Sequence, residues 1–243
     1  MDTNRLKVGI FIPCCIDQFA PQTGQNMMKL LTNLGCNCYY PDQQTCCGKG
    51  LYMHGDKEGA KQLAERMLEM FRGMDYVVSC GSGCVAYLKK YMGSMFHNST
   101  YHNEYPKFLV KLMDVTDLLV NVLNYRPRNV VFPHRVVFLD HCQTLRDYGL
   151  REEPRILLQA LEGLELMEMS SKAVCCGATG GFINHFEPIS NEMAMQKVDA
   201  ALRLGAQYIV GTEPTCLVHL QSYIEKEGLN IQCRHIVDLL VGE

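Results

Sequence analysis

Thr45-Cys46-Cys47-Gly48 governs the reading of this chain, because it returns as Val174-Cys175-Cys176-Gly177. Each Cys-Cys-Gly has a cysteine well upstream and another well downstream: Cys14 and Cys84 in the first half, Cys142 and Cys216 in the second. The upstream spacings are 32 and 33 residues (14 to 46, 142 to 175), and the downstream ones 37 and 40 (47 to 84, 176 to 216). Chance rarely repeats a long-range thiol pattern of this kind, even with 13 cysteines. The working expectation is two copies of one metal-binding unit.

At 243 residues the chain has room for one large domain or two small ones, each able to bury a core. Hydrophobic residues make up 47% and charged residues 20%, ordinary proportions for a globular protein. A net charge of -3 argues against a nucleic-acid or anionic-membrane surface. No apolar run approaches the ~20 residues of a membrane-spanning helix. The N-terminus shows no signal-peptide pattern, so a cytoplasmic location is expected. In a reducing compartment the cysteines then need a role other than a disulfide framework. Cys36, Cys38 and Cys233 lie outside the repeat and are read as small hydrophobes.

The chain order reads as α/β. Val8 to Pro13 is a continuous apolar run, as in a strand buried on both faces, with Cys14 just past its end. A helix over Thr23–Leu34, a short strand over Cys36–Tyr40 and the Cys-Cys-Gly loop follow. Next come an amphipathic helix from Asp56 to Arg72, a strand from Asp75 to Ser79 and a helix from about Val85 to Met92. Gly93 to Glu104 reads as a polar surface loop. The second half repeats the order: strand Val136–Asp140, helix core Ile156–Leu161, strand Leu164–Met169, helix Pro188–Leu204, strand Gln207–Gly211, and a helix opening at Cys216. Even the tails correspond, Val115–Leu119 with Ile236–Leu240. The prediction is two tandem pseudo-symmetric Rossmann-like, doubly wound domains, 1–128 and 129–243, with cysteines at the strand ends where such sheets bind ligands.

Four thiolates per copy suit zinc or an iron–sulfur cluster. Zinc usually takes ligands in close pairs two to four residues apart. Adjacent cysteines point apart and suit different irons of a cluster better than one ion. A metal-free redox dithiol is a further option, although its usual form is C-x-x-C. The candidate ligands are Cys14, Cys46, Cys47 and Cys84, then Cys142, Cys175, Cys176 and Cys216, with Cys80 as an additional candidate. There is no Walker loop, dinucleotide fingerprint or nucleophile elbow, and Gly177–Gly181 is a weak phosphate site.

The two thiol sets, with Pro41–Gly48, Gly81-Ser82-Gly83-Cys84, Cys175–Phe182 and Cys216-Leu217, resemble the CCG, or cysteine-rich, domain family. That domain occurs twice in one of the heterodisulfide reductase polypeptides, and also in the iron–sulfur subunits of glycolate oxidase and anaerobic glycerol-3-phosphate dehydrogenase. Short two-copy members of the lactate-utilisation group are similar over nearly the whole chain. The resemblance implies one or two 4Fe–4S clusters in an oxidoreductase subunit that helps oxidise L-lactate, a small 2-hydroxy acid, to pyruvate. It also implies a ferredoxin-like iron–sulfur subunit and a small third subunit as partners. Alternatives are thiol–disulfide chemistry at a special cluster, and a purely electron-transferring subunit of a related, glycolate-type complex. The heterodisulfide reductase motif closes each copy with C-x-x-C. Here Gly81 and Glu213 stand three residues before Cys84 and Cys216, and Cys80 is one position off.

Other residues have quieter readings. His141 either contacts the bound group or faces solvent at a strand end. Asp17 is expected to cap the next helix, and Glu213 to favour the N-terminus of its own. His54, His97, His102 and His185 read as surface residues, and the methionine stripes as core or interface.

Overall fold

The computed structural model describes residues 6–169, 175–179 and 181–242. The chain divides into two compact units, Met1–Leu118 and Leu119–Glu243. The first contains strands β1 (Lys7–Phe11), β2 (Asn37–Tyr39), β3 (Tyr76–Ser79) and β4 (Leu112–Asp114), all parallel, in the order β2-β1-β3-β4. The second contains β5 (Arg135–Leu139), β6 (Glu165–Met167), β7 (Tyr208–Gly211) and β8 (Gln232–His235), parallel in the order β6-β5-β7-β8. The register repeats as well: Val8 faces Tyr76 across β1 and β3, and Val136 faces Tyr208 across β5 and β7. Each unit is Rossmann-like, as the alternation of apolar runs and amphipathic stretches predicts.

The central strands are apolar because helices cover them. β1 and β5 are buried at every position except the first. Helix Lys57–Met70 opens on Asp56, whose carboxylate accepts the Gly59 N–H at 2.8 Å, and buries Ala60, Ala64, Met67 and Leu68. In the second unit the equivalent helix, Glu187–Arg203, buries Ser190, Ala194, Val198 and Ala201. No helix of the described residues is long and apolar enough to cross a membrane.

Three features depart from the sequence reading. The fourth strand of each sheet has no sequence signature. β4 and β8 are three and four residues long and contain Asp114, Gln232 and Arg234, so no apolar run announces them. The helix expected from Val85 begins at Ser82 and runs to Phe96, placing Cys84 inside its first turn. Its last residues were expected in a polar loop, yet Phe96 is fully buried and stacks on Tyr105 at 5.9 Å. The helix buries an apolar side chain where the local composition is mostly polar.

The strand order places a switch point between β1 and β3, and another between β5 and β7: the chain leaves the central strand to one side, then returns to the other. The crevice beyond the carboxyl ends of those strands is the usual ligand position in open α/β sheets. In the second unit one buried cation ties this edge together. Arg155, on helix Glu152–Gln159, grips Asp140 just past β5 with two hydrogen bonds (3.0 and 2.8 Å). It grips Glu168 just past β6 with two more (2.7 and 2.9 Å). Its guanidinium also donates to the Arg151 carbonyl and lies 5.2 Å from the centre of the Phe138 ring.

Removing this cation leaves two carboxylates facing each other, so Arg155→Met should cost about 3 kcal/mol, read as a lowered denaturation midpoint. Arg155→Lys should recover only part, since an ammonium cannot form two forks. Arg155 holds the Glu168 carboxyl below its ordinary pKa. That stabilisation is therefore complete above the ordinary glutamate value of about 4.3 and drains away as pH falls through the lowered one. Arg155→Met should flatten the acid limb of a stability–pH profile.

Candidate metal centre

The first set of thiols is gathered at the carboxyl edge of β1 and β3. β1 ends at Phe11, and Cys14 opens the short helix Cys14–Phe19. Cys46 and Cys47 follow β2 on a loop, and Cys84 sits in the first turn of the helix after β3. The loop turns sharply at Gly48, whose φ of +85° puts it in the left-handed region, and a Cβ there would lie 3.2 Å from the Ala60 backbone. Only glycine combines that dihedral with so close an approach. The turn is stitched to β1 by Gln44, whose Oε1 accepts the Ile12 N–H at 2.7 Å while its amide reaches the Ile10 carbonyl at 3.4 Å.

The four thiols lie in contact with one another. Cys14 Sγ lies 3.7 Å from Cys46 Sγ, and Cys47 Sγ donates to Cys84 Sγ at 3.1 Å. Cys47 is buried and Cys14 exposed, so the set runs from the interior to solvent. Hydrogen bonds from Cys14 and Cys47, with further help from the Gly48 and Cys47 backbone amides, hold the Cys46 thiol far below its ordinary pKa. Cys14 and Cys47 are pushed the opposite way as its donors. The thiolate is the form that ligates metals, and these four thiols lie close together at one sheet edge.

The second unit repeats the arrangement. Cys142 follows β5 and hydrogen-bonds Cys175, while Cys176 Sγ donates to Cys216 Sγ at 2.9 Å. Cys175, held far below its ordinary pKa by Cys142 and Cys176, also accepts the Gly177 N–H at 3.4 Å. Gly177 has φ +91°, and a Cβ there would lie 2.9 Å from both the carbonyl oxygen and Oγ of Ser190. Ser190 Oγ donates to the Gly177 carbonyl at 3.1 Å and lies 3.1 Å from His219 Nε2. Gly180, in the weak phosphate candidate, lies outside the described residues.

Among the described residues no group of three or more His, Cys, Asp and Glu side chains is arranged to hold a single metal ion. The donor set is four soft thiols per unit, from three separated segments at one sheet edge. That chemistry fits a multi-iron cluster, whose irons take cysteines separately.

The other candidates fall around this edge. Cys80 is fully buried at the end of β3. Cys15, which the spacing argument passes over, is half-buried beside Cys14. His141 is buried and its Nδ1 meets Thr144, Oγ1 at 2.6 Å and N at 3.3 Å, so one ring nitrogen orders the turn after β5. Glu213 is buried at the start of helix Pro214–Lys226 and accepts the Thr215 hydroxyl at 2.6 Å. His54 and His185 are exposed. Asp17 does not cap the next helix as expected. It lies within helix Cys14–Phe19, accepting from Gln18 at 2.7 Å. Helix Pro21–Asn33 opens without a side-chain cap, on a proline that has no N–H to satisfy. Gln44, Arg155, Ser190 and His219 were not legible as site residues, since each acts through a partner distant in sequence.

Residues 8–89 and 136–221 each match the CCG family, described as a cysteine-rich domain. Lactate utilization protein A of Halalkalibacterium halodurans is 32% identical, over 97% of this chain and 96% of its own length. Its namesake from Geobacillus thermodenitrificans is also 32% identical, over 97% and 98%. Among solved structures, a hypothetical protein from Helicobacter pylori has the same fold (TM-score 0.70, 6% identity). The chain covers 98% of itself in that match and spans about half, 49%, of that protein. With two matched copies and full-length relatives, the chain belongs to the cysteine-rich CCG domain family.

Proposed function

We propose that each unit holds a 4Fe–4S cluster, on Cys14, Cys46, Cys47 and Cys84 in the first and on Cys142, Cys175, Cys176 and Cys216 in the second. In this reading the chain is the iron–sulfur subunit of a cytoplasmic system that oxidises L-lactate to pyruvate. The observation that carries the cofactor is the convergence of four thiols per unit from three separated segments. The lactate assignment draws on the relatives named lactate utilization protein A.

When bound, a cluster supplies a one-electron relay whose potential depends on its surroundings. The chain's own residues hold and shape that place. Gly48 and Gly177 set the turn, Gln44 pins the first one to the sheet, and the backbone amides at the turn donate toward Cys46 and Cys175. Lactate oxidation releases an electron pair, which two one-electron centres would pass on to a ferredoxin-like subunit, with a small third subunit completing the complex. Thiol–disulfide chemistry of the heterodisulfide reductase kind finds less support. A side chain at Gly81 would meet Pro13 at 2.5 Å, and Glu213 is committed to Thr215, so neither position offers a fifth thiol.

Anaerobic purification with iron and sulfide analysis should find both elements at cluster stoichiometry. Cys46→Ser and Cys175→Ser should each remove about half of the iron, and the double variant nearly all of it; stoichiometric zinc, or variants indistinguishable from wild type, would refute the cluster assignment. Gly177→Ala should cost about 1–3 kcal/mol from a strained dihedral and lower iron content mainly in the second unit. For the substrate, the gene should restore growth on L-lactate to a bacterium lacking its own lactate utilization protein A; failure there, with clusters present, would argue for a different 2-hydroxy acid.

A further inference from the structure

The two thiol sets share a scaffold but differ one turn beyond the last cysteine. Three residues after Cys216 stands His219, and three after Cys84 stands Tyr87. On a helix such positions share a face, so each side chain lies on the same face as its cysteine. In the second unit Ser190 occupies His219 Nε2, through its Oγ at 3.1 Å and its carbonyl at 3.3 Å. In the first unit the residue pressed against the loop glycine is Ala60, which brings no hydroxyl. Tyr87 is fully buried, and its hydroxyl has no hydrogen-bond partner among the described residues.

A buried polar atom without a partner is rare and costly in native proteins. The Tyr87 ring is also firmly placed, against Tyr52 (centroids 5.6 Å) from the helix that follows Gly48 and against Tyr91 (5.7 Å). The surroundings favour a donor role. Burial first, and then the neighbouring Cys47, Tyr52, Cys46 and Cys84, push its pKa up, so the phenol keeps its proton.

We propose that the Tyr87 hydroxyl donates a hydrogen bond to a sulfur of the group held by the first thiol set. At the matching position of the second unit stands His219, whose Nε2 is engaged by Ser190. The proposal rests on the iron–sulfur reading and deepens it. Hydrogen bonds to cluster sulfurs raise the reduction potential, so the first cluster is set above the level that its thiols alone would give. Tyr87 thus acts as a positioning and tuning residue of the first centre.

The test compares wild type with Tyr87→Phe, which keeps the ring and removes only the hydroxyl. Both proteins are loaded anaerobically, counted for iron and sulfide, and titrated by EPR. Melting temperatures are taken with and without clusters. The expected result is unchanged iron and sulfide, with one of two cluster signals moved to a more negative potential and the other unmoved. Without clusters the variant should melt at or above the wild-type temperature, having lost an unpartnered hydroxyl. Its gain in melting temperature on loading should be smaller than the wild type's. Two unmoved signals in a fully loaded variant would overturn the tuning role while leaving the iron–sulfur reading intact. A wild type that takes up no iron would overturn both.

Discussion

The site depends on one backbone constraint, repeated in each unit. A glycine in the left-handed region is pressed against the first turn of the following long helix, Gly48 on Ala60 and Gly177 on Ser190. Any side chain at the glycine would strain the dihedral and strike backbone atoms, so the loop has little freedom. That fixed turn sends two adjacent cysteines to different partners: Cys46 toward Cys14, and Cys47 toward Cys84. Adjacent thiols serving different neighbours are awkward for one ion and natural for a group with several metal atoms.

Near the carboxyl edge of each sheet the two units use different ties. In the first, neutral Gln44 ties the loop to the end of β1. In the second, buried Arg155 joins the segments after β5 and β6 through two carboxylates. The neutral stitch involves little desolvation. The charged one needs both of its forks satisfied, since a buried guanidinium with a missing partner is strongly unfavourable. Duplicated scaffolds can diverge in this way because the sheet order and glycine turn set the geometry, whatever supplies the bond.

Legibility followed the physics of each element. β1, β3, β5 and β7 were readable because a strand covered on both faces must be apolar throughout. Helix Lys57–Met70 was readable from its stripe and its Asp56 cap. β4 and β8 were not, because a short edge strand draws its stability from one neighbour and tolerates polar residues. Helix Ser82–Phe96 was cut short for a related reason, since the ring that Phe96 packs on belongs to Tyr105, beyond the expected loop. Asp17 misled because a carboxylate near a helix start is a common cap, and a proline had already removed the need.

The sequence by itself determined the duplication, the thiols and the sheet edge to which they belong, because cysteine spacing and uninterrupted apolar runs are properties of the chain alone. Tertiary structure decided which thiol meets which, and what lies beneath them. Tyr87 and His219 hold matching places in sequence, yet one hydroxyl has no partner among the described residues and the other ring is engaged. His219 owes its partner to Ser190, 29 residues before it. A hydrogen bond depends on distance and direction in space, and folding alone brings such residues within reach of each other.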